Sequence, residues 1–270
     1  MNLFDLDTPA LVVELDKLER NIARMQRIAD EARVKLRPHV KTHKTPAIAI
    51  KQVRAGARGI TVAKVGEAEV MERANLIDLL IGFPLQGAGK ISRLLDLNER
   101  ANLRVTLDSG KVACDLSEAA VARRQRIKVF VEVDPGYHRV GLLPGQPVLD
   151  LVREIVKLPG IEFVGLFTHA GQVYGAKSRQ EVAGIAAQEG RCVVESAELV
   201  RGEGIPVQEI SVGSTPTAPF VASYPGVTEI RPGNYVFNDA SQIALGACQQ
   251  EDCALSVVGT VVARHPDRLV

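Results

Sequence analysis

Two spacings of hydrophobic residues alternate along most of the chain. Short runs of branched apolar residues, typical of buried strands, are separated by longer stretches in which apolar side chains recur every three to four residues, as on one face of a helix. The first helical stretch places Leu18, Ile22 and Met25 on one face, and Asp16 is its expected N-cap. The alternation continues from residue 34 to residue 245 and predicts strands and helices in succession.

This succession predicts eight strand–helix units. The predicted strands cover residues 34–37, 59–63, 78–82, 103–107, 128–133, 162–167, 208–212 and 227–230. The predicted helices between them include residues 45–55, 66–74, 88–99, 109–122, 147–157 and 179–202. Eight such units within about 210 residues predict an α/β fold, the (β/α)₈ TIM barrel. An open doubly wound sheet is the alternative, but no Gly-x-Gly-x-x-Gly sequence opens a first strand-to-helix turn.

Both ends of the chain carry additional strand patterns. Residues 10–14 predict a strand before the barrel, and a β-branched run extends from Cys253 to Ala263 after the polar segment 249–252. We expect the two to pair in a small β-domain built from both termini. The predicted division is an N-terminal strand in residues 1–15, a barrel in 16–248 and the start of a C-terminal β-domain in 249–270. Because little sequence follows Ala263, we expect the chain to be truncated in that domain.

Composition and charge narrow the class of protein. The 33 Lys and Arg residues nearly balance 32 Asp and Glu residues, and this net charge of +1 excludes nucleic-acid binding by bulk electrostatics. No uncharged apolar stretch approaches the roughly 18 residues of a membrane span, so no membrane partner is expected. The acidic N-terminus does not resemble a signal peptide, and four cysteines do not form a disulfide framework. We predict a cytoplasmic protein.

The residues able to do chemistry concentrate after the predicted strands. The five richest loops cover residues 37–44, 134–139, 168–174, 213–216 and 231–235. In a TIM barrel the loops at the carboxyl ends of the strands build the active site, and a phosphate site often follows the seventh and eighth strands. These loops therefore predict one site at the mouth of the barrel.

The last two loops have the parts of a phosphate site. Gly213 lets the backbone approach an anion closely, Ser214 and Thr215 offer hydroxyls, and Pro216 is predicted to start a helix with free N–H groups. Backbone donors from residues 233–234 can add to them. An ordinary capped helix after a tight turn is the alternative interpretation.

A lysine opposite a phosphate site suggests pyridoxal 5'-phosphate held as a Schiff base. Lys41 ends the first barrel strand, and a lysine amine in this role must be deprotonated. Its neighbours in sequence, Arg37, His39, His43 and Lys44, are expected to lower its pKa. A solvated basic loop is the alternative.

The segment Arg37-Pro38-His39-Val40-Lys41-Thr42-His43-Lys44 closely resembles the cofactor-lysine loop of the D-threonine aldolase and D-serine dehydratase family. These are fold-type III pyridoxal phosphate enzymes, whose barrel is similar to the alanine racemase N-terminal domain. The resemblance runs from Asp7-Thr8-Pro9 to the C-terminus and includes Val131-Glu132-Val133-Asp134-x-Gly136 and Gly213-Ser214-Thr215. It implies that Lys41, rather than Lys44 or Lys64, is the Schiff-base lysine.

The resemblance also implies roles for other residues. Arg139 would approach the phenolate oxygen of the cofactor, His169 would lie near its ring, and Tyr174 would line the substrate side. Arg231 would face the pyridine nitrogen, where its permanent charge would weaken the ring as an electron sink. With Lys41, Arg139 and His169 are thus the catalytic candidates. The residues of the implied phosphate cradle are Gly213, Ser214, Thr215, Gly233 and Asn234.

The activity implied is that of a lyase acting on β-hydroxy D-amino acids, either a dehydratase of D-serine or 3-hydroxy-D-aspartate or an aldolase of D-threonine. The partner would be a small D-amino acid substrate, and we expect a homodimer. Members of the family bind a divalent metal, zinc or manganese, through His-x-Asp or His-x-Cys in a C-terminal β-domain. This chain has no such sequence, since His265 is followed by Pro266 and Asp267. The 270-residue chain is therefore expected to be an incomplete, inactive form.

Two other functions remain open at this stage. An amino-acid racemase of the alanine racemase type has the same barrel but needs a second base, normally a tyrosine from the β-domain. A pyridoxal phosphate-binding barrel without turnover needs neither that base nor a metal.

Overall fold

Ten strands within residues 2–270, the part of the chain that the computed structural model describes, form two sheets. In chain order they are β1 (Ala10–Val13), β2 (Lys35–Leu36), β3 (Ile60–Val62), β4 (Asp78–Ile81), β5 (Asn102–Leu107), β6 (Ile127–Val133), β7 (Ile161–Thr168), β8 (Glu209–Val212), β9 (Glu229–Ile230) and β10 (Leu255–Val258). Strands β2 to β9 form a parallel sheet in the order β2-β9-β8-β7-β6-β5-β4-β3. Strands β1 and β10 form the second sheet.

Helices alternate with the strands of the parallel sheet. They are α1 (Leu15–Ala32), α2 (Pro46–Arg54), α3 (Val65–Arg73), α4 (Ala88–Asn98), α5 (Gly110–Ala122), α6 (Gln146–Ile155), α7 (Arg179–Gly202), α8 (Ala218–Val221) and α9 (Ala240–Ala244). Within residues 2–270, none of them is both long and apolar enough to cross a membrane. Short 3₁₀ turns at Val40–Thr42, Gly171–Gly175 and Asn234–Val236 follow β2, β7 and β9.

The two edges of the parallel sheet meet where the chain leaves β2. His39 forms a parallel bridge to Thr61 of β3, and the Thr61 N–H donates to the Pro38 carbonyl at 2.8 Å. The Arg58 N–H donates to the Leu36 carbonyl, also at 2.8 Å. These bonds close the sheet into a barrel, so the predicted (β/α)₈ barrel is confirmed and the open doubly wound alternative is wrong.

Helix α1 buries the face that its hydrophobic spacing predicts. Leu18, Ile22 and Met25 all lie in the main hydrophobic core. The predicted N-cap is wrong, because the helix begins at Leu15 and Glu14 occupies the cap position. The Glu14 N–H donates to the Ala254 carbonyl at 2.8 Å, so the chain passes from β1 into the helix without a spacer. Asp16 lies in the first turn, where the helix dipole favours its charge.

The two ends of the chain pair with each other. Ala10 lies opposite Val258 and Val13 opposite Leu255 in an antiparallel register. The strand at the C-terminal end is shorter than the predicted run to Ala263. The residue before Ala10 is Pro9, which has no N–H to donate, so the ladder ends at Val258. The predicted division of the chain into domains stays a prediction.

Charged side chains fill one layer of the barrel interior. Arg37 Nε donates to Glu229 Oε2 at 2.8 Å, and the Arg37 guanidinium also pairs with Asp78. Arg104 Nη1 pairs with the same Asp78 carboxylate at 2.9 Å. Arg37 and Glu229 are both completely shielded from solvent. A buried arginine is tolerated here because carboxylates neutralise it at close range.

Candidate active site

A cavity of about 200 Å³ opens at the mouth of the barrel, among the loops that follow the carboxyl ends of the strands. It is lined by nearly all of the residues predicted for the site, namely Lys41, Arg139, His169, Tyr174, Ser214, Thr215, Arg231, Gly233 and Asn234. Gly213 does not line it. The structure thus brings together residues that are separated by up to 193 positions in sequence (234 − 41).

Lys41 reaches the cavity from the 3₁₀ turn after β2. His39 begins this turn, and its Nδ1 accepts the Lys41 N–H at 3.3 Å. Lys44 has a positive φ of 53° and forms an ion pair with Glu67, which turns it away from the cavity. Lys41 is the one lysine among the cavity-lining residues of the described chain.

The pKa of Lys41 is lowered from its usual value by partial burial and by the charges of Arg139 and Arg231, while Glu67 opposes the shift. The lowered pKa agrees with the sequence, but the charges expected to cause it, those of the sequence neighbours of Lys41, are not the ones that act. Arg37 is paired inside the barrel, and Lys44 is paired with Glu67. Besides burial, the shift comes from Arg139 and Arg231 on distant loops, which only the fold brings close.

The two histidines that line the cavity are neutral. Burial and the charge of Lys41 lower the pKa of His39 and that of His169 well below the usual range. The His169 ring contacts Tyr137 edge to face, with the ring centroids 5.9 Å apart. The Tyr137 ring in turn occupies the space beside Gly171, where any Cβ would overlap it. His169 is therefore held against a packed aromatic ring in the form that can accept a proton.

Arg139 is held from three sides. Its guanidinium carbon lies 5.4 Å from the ring centroids of both Phe83 and Tyr137. Its Nη2 lies 3.8 Å from Oε1 of Glu132, a nearly inaccessible carboxylate on β6. Burial raises the pKa of Glu132 to about 7, although Arg139 and Arg231 oppose that change. Cation–π contacts and this ion pair orient the Arg139 charge towards the cavity.

Arg231 is the most constrained charge of the site. Its Nε donates to Ser211 Oγ at 2.8 Å, its Nη2 donates to the Ser211 and Thr168 carbonyls, and its guanidinium lies 3.5 Å from the centroid of the Phe167 ring. Burial lowers its pKa to about 10, although three carboxylates, led by Glu229, oppose the change. Arg231 therefore remains a cation at neutral pH in a fixed orientation.

The loop after β8 differs from its prediction in two respects. The predicted helix start at Pro216 is wrong, because α8 begins at Ala218 and has four residues. Thr217 Oγ1 accepts the Ser214 N–H at 2.9 Å, so residues 214–217 form a separate turn before the helix. Gly213, at φ +97°, donates its N–H to Glu189 Oε1 at 2.8 Å and so directs it away from the cavity. The hydroxyl residues, rather than Gly213, contact the cavity.

The loop after β9 completes this side of the cavity. The Tyr235 N–H donates to Thr215 Oγ1 at 3.1 Å and joins this loop to the one after β8. A Cβ on Gly233 would lie 2.7 Å from the His39 carbonyl oxygen, so only glycine permits this contact with the loop that carries Lys41. Asn234 fixes its own amide by donating to Asp239 at 2.6 Å.

Several residues of the site escaped the sequence analysis. Phe83 directly follows a predicted strand and so had a positional signal. His39 was expected only to lower the pKa of Lys41, and the structure adds that it lines the cavity. Glu189 occupies an apolar position of α7, three residues after Ala186, and is completely buried. A carboxylate at an apolar helical position is the signal that could have identified it.

No group of three or more His, Cys, Asp or Glu side chains within residues 2–270 could hold a metal ion. The four cysteines, at positions 114, 192, 248 and 253, are free thiols.

Residues 13–241 match the family described as alanine racemase, N-terminal domain. The chain belongs to the alanine racemase N-terminal domain family. The resemblance carried by the loop around Lys41 is thereby confirmed, as is the barrel type.

Named relatives within this family match nearly the whole chain. D-threo-3-hydroxyaspartate dehydratase from Delftia sp. (strain HT23) is 39% identical, over 98% of this chain and 70% of that protein. D-threonine aldolase from Arthrobacter sp is 36% identical and D-serine dehydratase from Dictyostelium discoideum 30% identical, each over 98% of this chain and 71% of the relative. The solved structure of the Delftia enzyme has a TM-score of 0.92 at 38% identity and covers 98% of this chain and 70% of that one. The relatives are dehydratases and an aldolase, which agrees with the class of lyase predicted from the sequence.

Proposed function

We propose that this chain is a pyridoxal 5'-phosphate-dependent lyase that acts on β-hydroxy D-amino acids, with Lys41 as the residue that binds the cofactor aldehyde. One observation carries the proposal: a lysine of lowered pKa faces a hydroxyl-bearing turn and two arginines across a single cavity. The activities of the relatives support the same class of reaction.

The residues of the cavity fit this cofactor chemically. An aldehyde requires an unprotonated amine, and the lowered pKa of Lys41 favours that form. A phosphate requires hydrogen-bond donors, which the hydroxyls of Ser214 and Thr215 offer beside the closely packed Gly233. A phenolate or carboxylate oxygen requires a cation, which Arg139 presents at the cavity wall. We assign Arg231 to the pyridine nitrogen side.

The reaction chemistry divides between cofactor and protein. Pyridoxal phosphate, when bound, supplies the electron sink for bond breaking at the substrate α-carbon. Lys41 would be available as an unprotonated amine because its pKa is depressed, and it could accept the α-proton of a substrate bound in the cavity. His169 is neutral and can accept or relay a proton within the same cavity, and we place Tyr174 on the substrate side. Loss of the β-hydroxyl as water gives a dehydratase, whereas cleavage between the α- and β-carbons gives an aldolase.

A divalent metal does not fit the residues described. Within residues 2–270 no cluster of potential ligands is present, and the proposal assigns none of these residues to a metal. The relatives are lyases, so the racemase and the barrel without turnover are less favoured alternatives. We also propose that the chain forms a homodimer, which light scattering of the purified protein tests.

Borohydride reduction and product analysis test the proposal. The full chain is loaded with pyridoxal phosphate, reduced, digested and mapped by mass spectrometry, with Lys44→Ala as the matched control for Lys41→Ala. We expect the label on Lys41, its loss in Lys41→Ala and its retention in Lys44→Ala. Label on Lys44 or Lys64 would contradict the assignment. Incubation with D-serine, D-threonine and 3-hydroxy-D-aspartate separates the activities. A dehydratase releases ammonia and a keto acid, whereas an aldolase releases glycine and an aldehyde.

A further inference from the structure

Glu189 is a buried acid on helix α7, whose other buried side chains are mostly apolar. It lies near the middle of α7 and has no solvent-accessible surface. Burying a carboxylate costs several kcal/mol unless its oxygens are bonded. Burial raises the pKa of Glu189 to about 7, against the stabilising effects of the Gly213 N–H and Arg231. Because burying this carboxylate costs free energy, we expect it to have a specific hydrogen-bond partner.

The partner is the turn after β8. Glu189 Oε1 accepts the Gly213 N–H at 2.8 Å. The Ala170 N–H, in the loop after β7, and the Thr217 hydroxyl lie close enough to favour the ionised form of this carboxylate, although no described group donates a hydrogen bond to its second oxygen, Oε2. One side chain on α7 therefore contacts two of the loops that surround the cavity.

Position and conformation are both fixed at this contact. Gly213 has φ +97°, a conformation that L side chains rarely adopt, and the Glu189 bond holds its N–H on the side away from the cavity. The next two residues, Ser214 and Thr215, then line the cavity. On the helix, a Cβ on Gly190 would lie 2.5 Å from the Tyr224 ring, so α7 packs too closely to shift. The carboxylate is thus anchored to a rigid element.

We propose that Glu189 is a positioning residue for the cofactor phosphate: by accepting the Gly213 N–H it fixes the turn in which the Ser214 and Thr215 hydroxyls face that group. This inference rests on the proposed function. Glu189 does not line the cavity, so it acts through the turn and not by touching the ligand.

The experiment compares pyridoxal phosphate with pyridoxal, which lacks the phosphate. The full chain and its variants are titrated with each compound, and the ratio of the two dissociation constants is the readout. Glu189→Met keeps the approximate shape and removes the acceptor, while Glu189→Gln keeps an acceptor oxygen and removes the charge. Ser196→Ala is the matched control, because Ser196 is also buried on α7 and accepts a glycine N–H, that of Gly145, at 3.0 Å. Glu189→Asp, which retains the carboxylate but shortens it, replaces Glu189→Met if that variant does not fold.

We expect Glu189→Met to weaken pyridoxal phosphate binding by about tenfold and pyridoxal binding by less than about twofold. Glu189→Gln should retain the wild-type ratio within about threefold, and Ser196→Ala should leave the ratio unchanged. Inorganic phosphate should compete with pyridoxal phosphate less effectively in Glu189→Met than in the wild type. Equal losses for both compounds, or a Gln variant as weak as the Met variant, would overturn the inference while leaving the proposed function intact. A wild-type chain that bound neither compound would overturn the proposed function itself.

Discussion

Replacing Gly233 by alanine adds one methyl group between two loops of the site. Gly233 has a negative φ of −124°, so the substitution does not force alanine into the left-handed region. The new Cβ would lie 2.7 Å from the His39 carbonyl oxygen and 3.2 Å from both His39 Cβ and Thr42 Oγ1. Two of these atoms belong to backbone or to the base of a side chain and cannot rotate away. The loop that carries Lys41 must therefore move.

The size of the effect follows from overpacking. An extra methyl group in a closely packed place costs about 1–3 kcal/mol of the free energy of unfolding. Displacement of Lys41 relative to the Ser214–Thr215 turn should also weaken pyridoxal phosphate binding by about tenfold, which corresponds to about 1.4 kcal/mol. Urea unfolding of the apo chain measures the first quantity, and absorbance titration with the cofactor measures the second.

Gly184→Ala is the matched control, since Gly184 lies in α7 and a Cβ there meets nothing within 4 Å. That variant should be more stable by up to about 1 kcal/mol, because alanine is the better helix former, and should bind the cofactor as the wild type does. If Gly233→Ala kept both its stability and its affinity, the loops after β2 and β9 would not be in the contact on which the reasoning depends.

Three further predictions concern charge. Arg231→Lys should lower the free energy of unfolding in urea by about 2–4 kcal/mol. Lysine cannot reproduce the buried hydrogen bonds to Ser211 and Thr168 or the contact with the Phe167 ring. A change below about 0.5 kcal/mol would contradict this prediction. The rate at which the apo chain combines with pyridoxal phosphate should rise with pH around the depressed pKa of Lys41. Arg139→Met should move the midpoint of this rise to higher pH, because a cation beside Lys41 is removed. Stopped-flow absorbance measures the rate, and a midpoint moved to lower pH would refute the prediction. Because the pKa of Glu132 is raised, the native state binds its proton more tightly than the unfolded state does. The free energy of unfolding should therefore fall as pH rises from about 5 to 7. Glu132→Gln should make the urea midpoint less dependent on pH in that window.

Local patterns predicted the long elements well. The helix predicted for residues 179–202 is observed as Arg179–Gly202, because its apolar spacing extends over many turns. The predicted N-cap of α1, Asp16, lies two residues too late. Glu14 takes the cap position because its N–H is bonded to the Ala254 carbonyl, a contact that the sequence alone does not reveal. The helix start predicted at Pro216 failed for a local reason, because the Thr217 hydroxyl accepts the Ser214 N–H and forms a separate turn before the helix.

The site was predicted in part, and the limit has a physical cause. The resemblance of the segment around Lys41 identified the family of the chain. Most of the cavity-lining residues could be grouped into one site because they follow the carboxyl ends of predicted strands. What the sequence could not supply were contacts between distant elements. Glu189 and Gly213 are 24 residues apart, and the charges that act on Lys41 come from Arg139 and Arg231 rather than from its sequence neighbours.

The Arg37–Glu229 ion pair inside the barrel constrains the order in which the protein can fold during synthesis. Arg37 and Glu229 are 192 residues apart, so β2 emerges from the ribosome long before the carboxylate that neutralises its arginine. Asp78 emerges earlier and can pair with one side of the guanidinium, but Arg37 Nε has no carboxylate acceptor until Glu229 is made. Burying that N–H without its acceptor is costly. The growing chain must therefore keep Arg37 hydrated, and the barrel must stay open beside β2 until β9 arrives. Closure is thereby deferred until β9 has been synthesised, and a nascent chain interrupted before Glu229 would have an open sheet with Arg37 still in contact with water.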